Sequence, residues 1–163
     1  MAETLSVAEM LPNKFEPKRK FRWVFAIEGI DAFLMKTAAR PQIQTPAQTI
    51  QFINHTRYVA GRTVFQEMNV SLYDPIAPSG AQQVMEWVRT HFESVSGRSG
   101  YADFYKRDCQ IKMLDPVGTV VELWDVKGAF ITSANFGQDL DYNSEAPAEV
   151  QLTLRFDNCV LQY

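Results

Sequence analysis

From Glu149 to Asp157 every second residue is apolar: Val150, Leu152, Leu154 and Phe156 fall on one side, and Glu149, Gln151, Thr153, Arg155 and Asp157 on the other. A period of two marks a half-buried β-strand, and a chain built from such strands needs a second layer to cover its apolar side. The pattern recurs. It puts Phe21, Trp23, Phe25 and Ile27 on one face of a strand at Lys20–Ile27, and Val64, Met68, Val70 and Leu72 on one face of a strand at Val64–Tyr73. Further strands are predicted at Ala32–Ala39, Thr49–Ile53, Tyr58–Ala60, Cys109–Leu114, Thr119–Val126 and Gly128–Asn135, with Asp115-Pro116-Val117-Gly118 as a hairpin turn. Pro41 and Pro46 bracket a segment that cannot pair continuously, because proline donates no backbone hydrogen bond.

Only one stretch has the helical period. Ser79, with Gln82 three residues on, predicts a helix start, and Gly97 a stop. Between them Ala81, Val84, Met85, Val88, Phe92 and Val95 form a single apolar stripe that packs on a sheet. About seven or eight strands and one helix predict a mainly β protein. The expected form is an antiparallel β-sandwich or barrel with one packed α-helix. Residues 1–18 lack periodicity and read as an N-terminal arm, with one short helical turn at Val7–Leu11; residues 19–163 form the β domain.

A chain of 163 residues can bury a full core, and 46% apolar content with eleven Phe supports an ordered protein. No apolar run reaches the length needed to span a bilayer, and the N-terminus has no signal pattern, so a soluble, cytoplasm-made protein without a membrane partner is expected. Cys109 and Cys159 lie in strand-like contexts and read as buried reduced thiols.

The search for chemistry yields little. His55 and His91 have no second ligand at metal spacing, Gly97-Arg98-Ser99-Gly100 lacks the Lys-Ser/Thr ending of a phosphate loop, and Asp139 and Asp141 lack the glycine and remaining ligands of a calcium loop. No catalytic residue, cofactor or metal is expected. Basic residues Lys18, Arg19, Lys20 and Arg22 interleave with Phe21 and Trp23, but alternation sends the rings to the core and leaves no stacking platform for nucleic acid. Residues 115–163 hold two Lys/Arg against eight Asp/Glu, a sign that opposes phosphate binding. Gln42, Gln44, Gln48 and Gln51 give some strands a polar second face, and a free edge of that kind either aggregates or finds a designated partner.

Several strings, in order, resemble the tail tube proteins of contractile bacteriophages, over nearly the whole chain beyond the arm. The opening strand Phe21–Glu28 leads to a hairpin and a proline-bearing segment, and Val59-Ala60-Gly61-Arg62-Thr63 turns into the strand from Val64 to Leu72. The helix with Val84, Trp87 and Phe92 follows, then Val121-Glu122-Leu123-Trp124-Asp125-Val126-Lys127-Gly128-Ala129-Phe130-Ile131, the polar stretch ending Leu140-Asp141-Tyr142, and the strand Val150–Phe156. The resemblance implies a non-catalytic subunit of stacked hexameric rings, whose inner strands join those of neighbours in one inter-subunit β-barrel. It implies a virion tail tube that passes DNA without specific binding and meets the tail sheath, baseplate and tail terminator. Gln48, Gln51 and Glu67 are the candidates for the lumen or for ring-to-ring contact. Asp139, Asp141, Glu145 and Glu149 are the candidates for an acidic sheath-facing surface. Two alternatives stand beside it: an inner tube of a pyocin or secretion-type contractile injection system, and a small-molecule-binding β-barrel with an aromatic-rich interior. The arm, longer and more charged than in the shorter phage subunits, is expected to bridge subunits or rings.

Overall fold

The computed structural model describes Met10, residues 14–137 and residues 139–163; the short turn expected at Val7–Leu11 lies outside the described residues apart from Met10. Among the described residues eleven strands fold antiparallel: β1 (Trp23–Ile27), β2 (Met35–Ala38), β3 (Ile43–Gln44), β4 (Ala47–Phe52), β5 (His55–Ala60), β6 (Val64–Phe65), β7 (Met68–Tyr73), β8 (Arg107–Leu114), β9 (Val120–Asn135), β10 (Glu149–Arg155) and β11 (Asn158–Leu161). Helix α1 spans Gly80–His91 and the short α2 spans Ala102–Tyr105. The expected mainly β fold with a packed helix is what forms.

The main sheet runs β1-β8-β9-β10-β7-β2, with β11 on the other side of β9 from β8. β9 is 16 residues long and serves two layers. Its first part pairs with β8 and β11, its last part with β10. Sequence reading divides this strand at Lys127; the backbone instead continues through it and bends. Gly128, at φ +68°, makes the bend possible, and a Cβ there would lie 2.4 Å from Asp157 Oδ2. Asp108 holds the corner, accepting from Gly128 N at 3.2 Å and from Lys127 Nζ at 3.0 Å, and these bonds draw its carboxyl below the usual range.

Between the layers lie Phe25, Leu34, Met68, Val70, Leu72, Trp87, Ile111, Val126, Val150, Leu152 and Leu154, all fully buried. Each such side chain contributes roughly 1.5–3 kcal/mol when taken out of water. The alternation of β10 is kept: Val150, Leu152 and Leu154 are inside and Gln151 outside. Helix α1 starts where expected, with Ser79 Oγ accepting from Gln82 N at 3.3 Å, and buries Val84 and Trp87. The indole of Trp87 donates to Tyr105 O at 2.7 Å, fixing α2, and the Arg107 guanidinium lies 4.9 Å over its ring.

Several boundaries differ from expectation. The helix stops at His91, not near Gly97: Phe92 turns extended and pairs with Ser99, leaving Phe92 half-exposed and Val95 exposed rather than on the buried stripe. Phe21 is also exposed, because β1 begins only at Trp23, and Arg22 stacks on its ring instead. Ala32–Leu34 is a 3-10 turn, so only the second half of Ala32–Ala39 is a strand. The long strand expected at Val64–Tyr73 is broken at Gln66–Glu67, which separates β6 from β7 and leaves Val64 on an exposed ribbon.

Cys109 and Cys159 are buried and unpaired. Both face Val126, one from β8 and one from β11, so a whole strand separates them by roughly 10 Å, too far for a disulfide.

Candidate functional site

Two surfaces stand out, and neither is a catalytic cleft. The first is a long two-stranded arm. Ile43↔Phe65 and Gln44↔Val64 pair at its base, Gly61 N donates to Pro46 O at 2.7 Å across the proline interruption, and Ala47↔Ala60 through Phe52↔His55 complete it. From Gln44 to Phe52 it extends about 26 Å at the usual strand rise. Every residue of β4 and β5 is exposed, and Ile53 at the tip, at φ +45°, is entirely so. Phe65 anchors the base, its ring 5.5 Å from that of Phe156. An isolated two-stranded ribbon is marginal in water, so the arm is built to lie on something.

The second surface is the outer face of the four strands β9-β10-β7-β2. Thr37, Asn69, Ser71, Gln151, Thr153, Ser133 and Asn135 share it, in registers Thr37↔Ser71, Gln151↔Ser71, Thr153↔Asn69, Gln151↔Asn135 and Thr153↔Ser133. Thr153 Oγ1 donates to Asn69 Oδ1 at 3.2 Å. The charges are at the ends: Lys36 pairs with Glu149 beside Tyr73, and Arg155 approaches Glu67 at 3.9 Å. The Glu149 hydrogen bond holds the Lys36 ammonium above its ordinary value. Among the described residues both outer edges of this sheet are bare: β2 pairs only with β7, and the last part of β9 only with β10.

The residues singled out from sequence separate. Gln48 and Gln51 are both on β4 of the arm but on opposite faces, Gln48 beside Val59 and Gln51 beside Thr56, from which its amide oxygen accepts a hydrogen bond at 3.0 Å. Glu67 is at the foot of the arm, on the rim of the polar sheet. Asp139, Asp141 and Glu145 are exposed in the β9–β10 connection, while Glu149 is half-buried in the ion pair with Lys36. That connection curls around a cleft of about 580 Å³ lined by Phe136, Leu140, Asp141, Tyr142 and Pro147. It lies outside the core, whose space between the layers is filled by side chains, as a ligand-carrying barrel's would not be.

One polar residue was missed in the sequence reading. Glu122, on the inward face of β9, is 3% exposed and accepts from Lys18 Nζ of the arm segment, Arg40 Nη2 beyond β2, and Trp124 Nε1. Burial alone would raise its pKa; the Lys18, Trp124 and Arg40 bonds outweigh it and bring the carboxyl below the usual range. The signal available was a glutamate in phase with Trp124 and Val126 on an otherwise apolar face. Among the described residues no group of three or more His, Cys, Asp or Glu could hold a metal ion.

No protein-family model matches the chain, and no curated protein matches it in sequence. Solved structures do. A chain of the anti-feeding prophage tube-terminating cap superposes with a TM-score of 0.74 at 19% identity, covering 91% of this chain and 92% of that one. A chain of the sheath/tube terminator of the extracellular contractile injection system PVC gives 0.74 at 16%, covering 92% and 99%. Hcp1 from Flavobacterium johnsoniae gives 0.52 at 12%, covering 87% and 95%. At these identities the likeness is one of fold, and the protein has the Hcp and tail-tube fold seen in contractile injection machinery.

Proposed function

We propose that this protein is a non-catalytic tube or tube-terminator subunit of a contractile injection system, and that copies join edge to edge into a ring. The observation that carries this is the four-stranded sheet with both edges bare and one face uncovered. Bare edges present unpaired backbone groups, and a second copy satisfies them by continuing the sheet. The covered side carries β1, β8, β11 and α1 as a second layer, which needs the larger circumference. A closed ring therefore puts that layer outside and the bare polar face inside. Six copies would give a barrel of about 24 strands and a circumference of roughly 115 Å before strand tilt. The arm then reaches the next copy or ring, which makes Gln48 and Gln51 ring-contact residues and Glu67 a residue of the wall's rim. Asp139 and Asp141, which share a cleft with Asn135, Glu149 and Gln151, would border the wall with Glu149, and Glu145 of the same connection keeps the sheath-facing role.

The relatives by fold come from injection and secretion systems, which favours an injection particle over a phage tail passing DNA. Negative-stain microscopy with sedimentation over rising concentration tests the proposal. Rings or hollow tubes are expected; a monomer at every concentration, with or without added baseplate or sheath partners, would refute it.

A further inference from the structure

We infer that the cleft in the β9–β10 connection is the seat for residues 14–21 of a second copy placed end to end on the first; this rests on the tube reading above. The two surfaces are at opposite ends of the sheet. β7 runs from Met68, beside Leu154, to Tyr73, beside Glu149, and the cleft opens at the Tyr73 end, where Asn135, Glu149 and Gln151 border it. Residues 14–21 leave from the other end. Lys18 is held there by Glu122, which also holds Arg40. Arg40 follows directly on Ala39, whose N–H donates to Asn69 O at 3.0 Å where β2 passes toward the Met68 end. A copy set end to end on another brings the one surface to the other, and because the two differ, the contact repeats without closing.

The chemistry of each surface complements the other. The cleft presents Leu140, 97% exposed, and Tyr142, wholly exposed, with Phe136 beside them, an apolar lining left open to water. Glu149 is paired with Lys36, so Asp139 and Asp141 give the cleft its excess charge. From 136 to 149 the chain holds four acidic residues and no Lys or Arg. Residues 14–21 hold four Lys/Arg against Glu16 alone, and Lys14, Arg19 and Lys20 are exposed. Phe15 and Phe21, 71% and 73% exposed, stand between these cations as aromatic anchors for an apolar seat. Opposite charge around such anchors fixes partner and orientation. The ribbon of β4 and β5 leaves the same end of the sheet, but its tip, Phe52 to Asn54, carries no charge, so charge assigns the cleft to residues 14–21.

The test uses the full chain with the contact charges exchanged. Asp139→Lys with Asp141→Lys reverses the cleft, and Arg19→Glu with Lys20→Glu reverses the segment. All four side chains are exposed, so urea unfolding should give each monomer the midpoint of wild type. In negative stain each reversal alone is expected to leave single rings and to raise the concentration at which tubes form about tenfold; the two reversals together should restore tubes. Added salt should weaken wild-type tubes in the same direction. The contact itself is read by oxidising tubes mixed from Phe15→Cys chains and Leu140→Cys chains. A disulfide-linked pair is expected that neither variant gives alone, Cys109 and Cys159 being buried. Either reversal alone leaving tubes unchanged, a combination no better than one reversal, or absence of the linked pair overturns the inference while rings and tubes keep the tube reading standing. A linked pair from Ile53→Cys in place of Phe15→Cys overturns it too, giving the cleft to the ribbon. If wild type forms no ring or tube, the tube reading falls and the seat with it.

Discussion

Replacing Glu122 by glutamine should cost the fold about 2–3 kcal/mol. The carboxylate is the one buried charged group among the described residues. Three donors converge on it from three chain segments. A hydrogen bond to a charged buried group contributes about 1.5–3 kcal/mol. Lys18 and Arg40 are half-exposed, so their shares are held to about 1 kcal/mol or less each. Glutamine keeps an acceptor for the indole of Trp124 but turns an NH2 toward a cation. For a chain of this size the loss is a fall in Tm of about 4–12 °C. The charge also sets the pH window. The folded-state pKa of Glu122 lies below the ordinary 4.5, so its contribution is complete above that value and is lost as pH falls through the folded one. Urea unfolding followed by Trp fluorescence, at concentrations below assembly, should show the full gap between wild type and Glu122→Gln at neutral pH and a narrowing gap in acid. A gap under about 0.5 kcal/mol, or one unchanged between neutral and strongly acidic pH, would refute a stabilising role for the Glu122 carboxylate. Lys18→Met and Arg40→Met should each lose less than Glu122→Gln, since each removes one donor and leaves the other cation paired with the carboxylate, whereas glutamine weakens both pairs.

Gly128→Ala should destabilise by about 1–3 kcal/mol, read by the same unfolding assay, because the position combines φ +68° with Asp157 at contact. Phe52→Ser with Ile53→Asp at the arm tip should leave monomer stability within about 0.5 kcal/mol yet abolish tubes in the microscope, since both side chains are exposed in the free chain. Deleting residues 1–17 should leave a folded monomer and impair stacking; normal tubes would refute the bridging role of the arm. Cys109 and Cys159 should resist thiol reagents at neutral pH until urea unfolds the chain: burial pushes Cys109 up to about 12 and Cys159 up to about 11. Reaction of either within minutes in native buffer would contradict the packing around Val126.

The strands with strict alternation were legible, since burying one face imposes period two: Val150, Leu152 and Leu154 are inside as expected. So was the Ser79 cap, a local hydrogen bond that needs no tertiary information. What failed depends on partners distant in sequence. Phe21 and Val95 fit their stripes, but whether a stripe stays buried is decided by where β1 begins and where the chain turns after His91. The unity of β9 was hidden because its apolar phase shifts at Gly128, where the strand passes from one layer to the other. The candidate wall residues Gln48 and Gln51 were chosen for amide content, yet three residues apart in a strand are opposite faces. The polar face became visible only when the registers of three strands brought Thr37, Asn69, Ser71 and Thr153 together from places up to more than a hundred residues apart.

Because β9 runs unbroken from one layer into the other, the two layers cannot slide past each other without tearing its hydrogen bonds to β8, β10 or β11. Side-chain packing alone would yield to shear, one rotamer at a time. A covalent strand does not. A push on the layer bearing β8 and β11 thus reaches the layer bearing β10 and β7 through the backbone itself, and the protein responds to load as a rigid brick rather than a stack of plates.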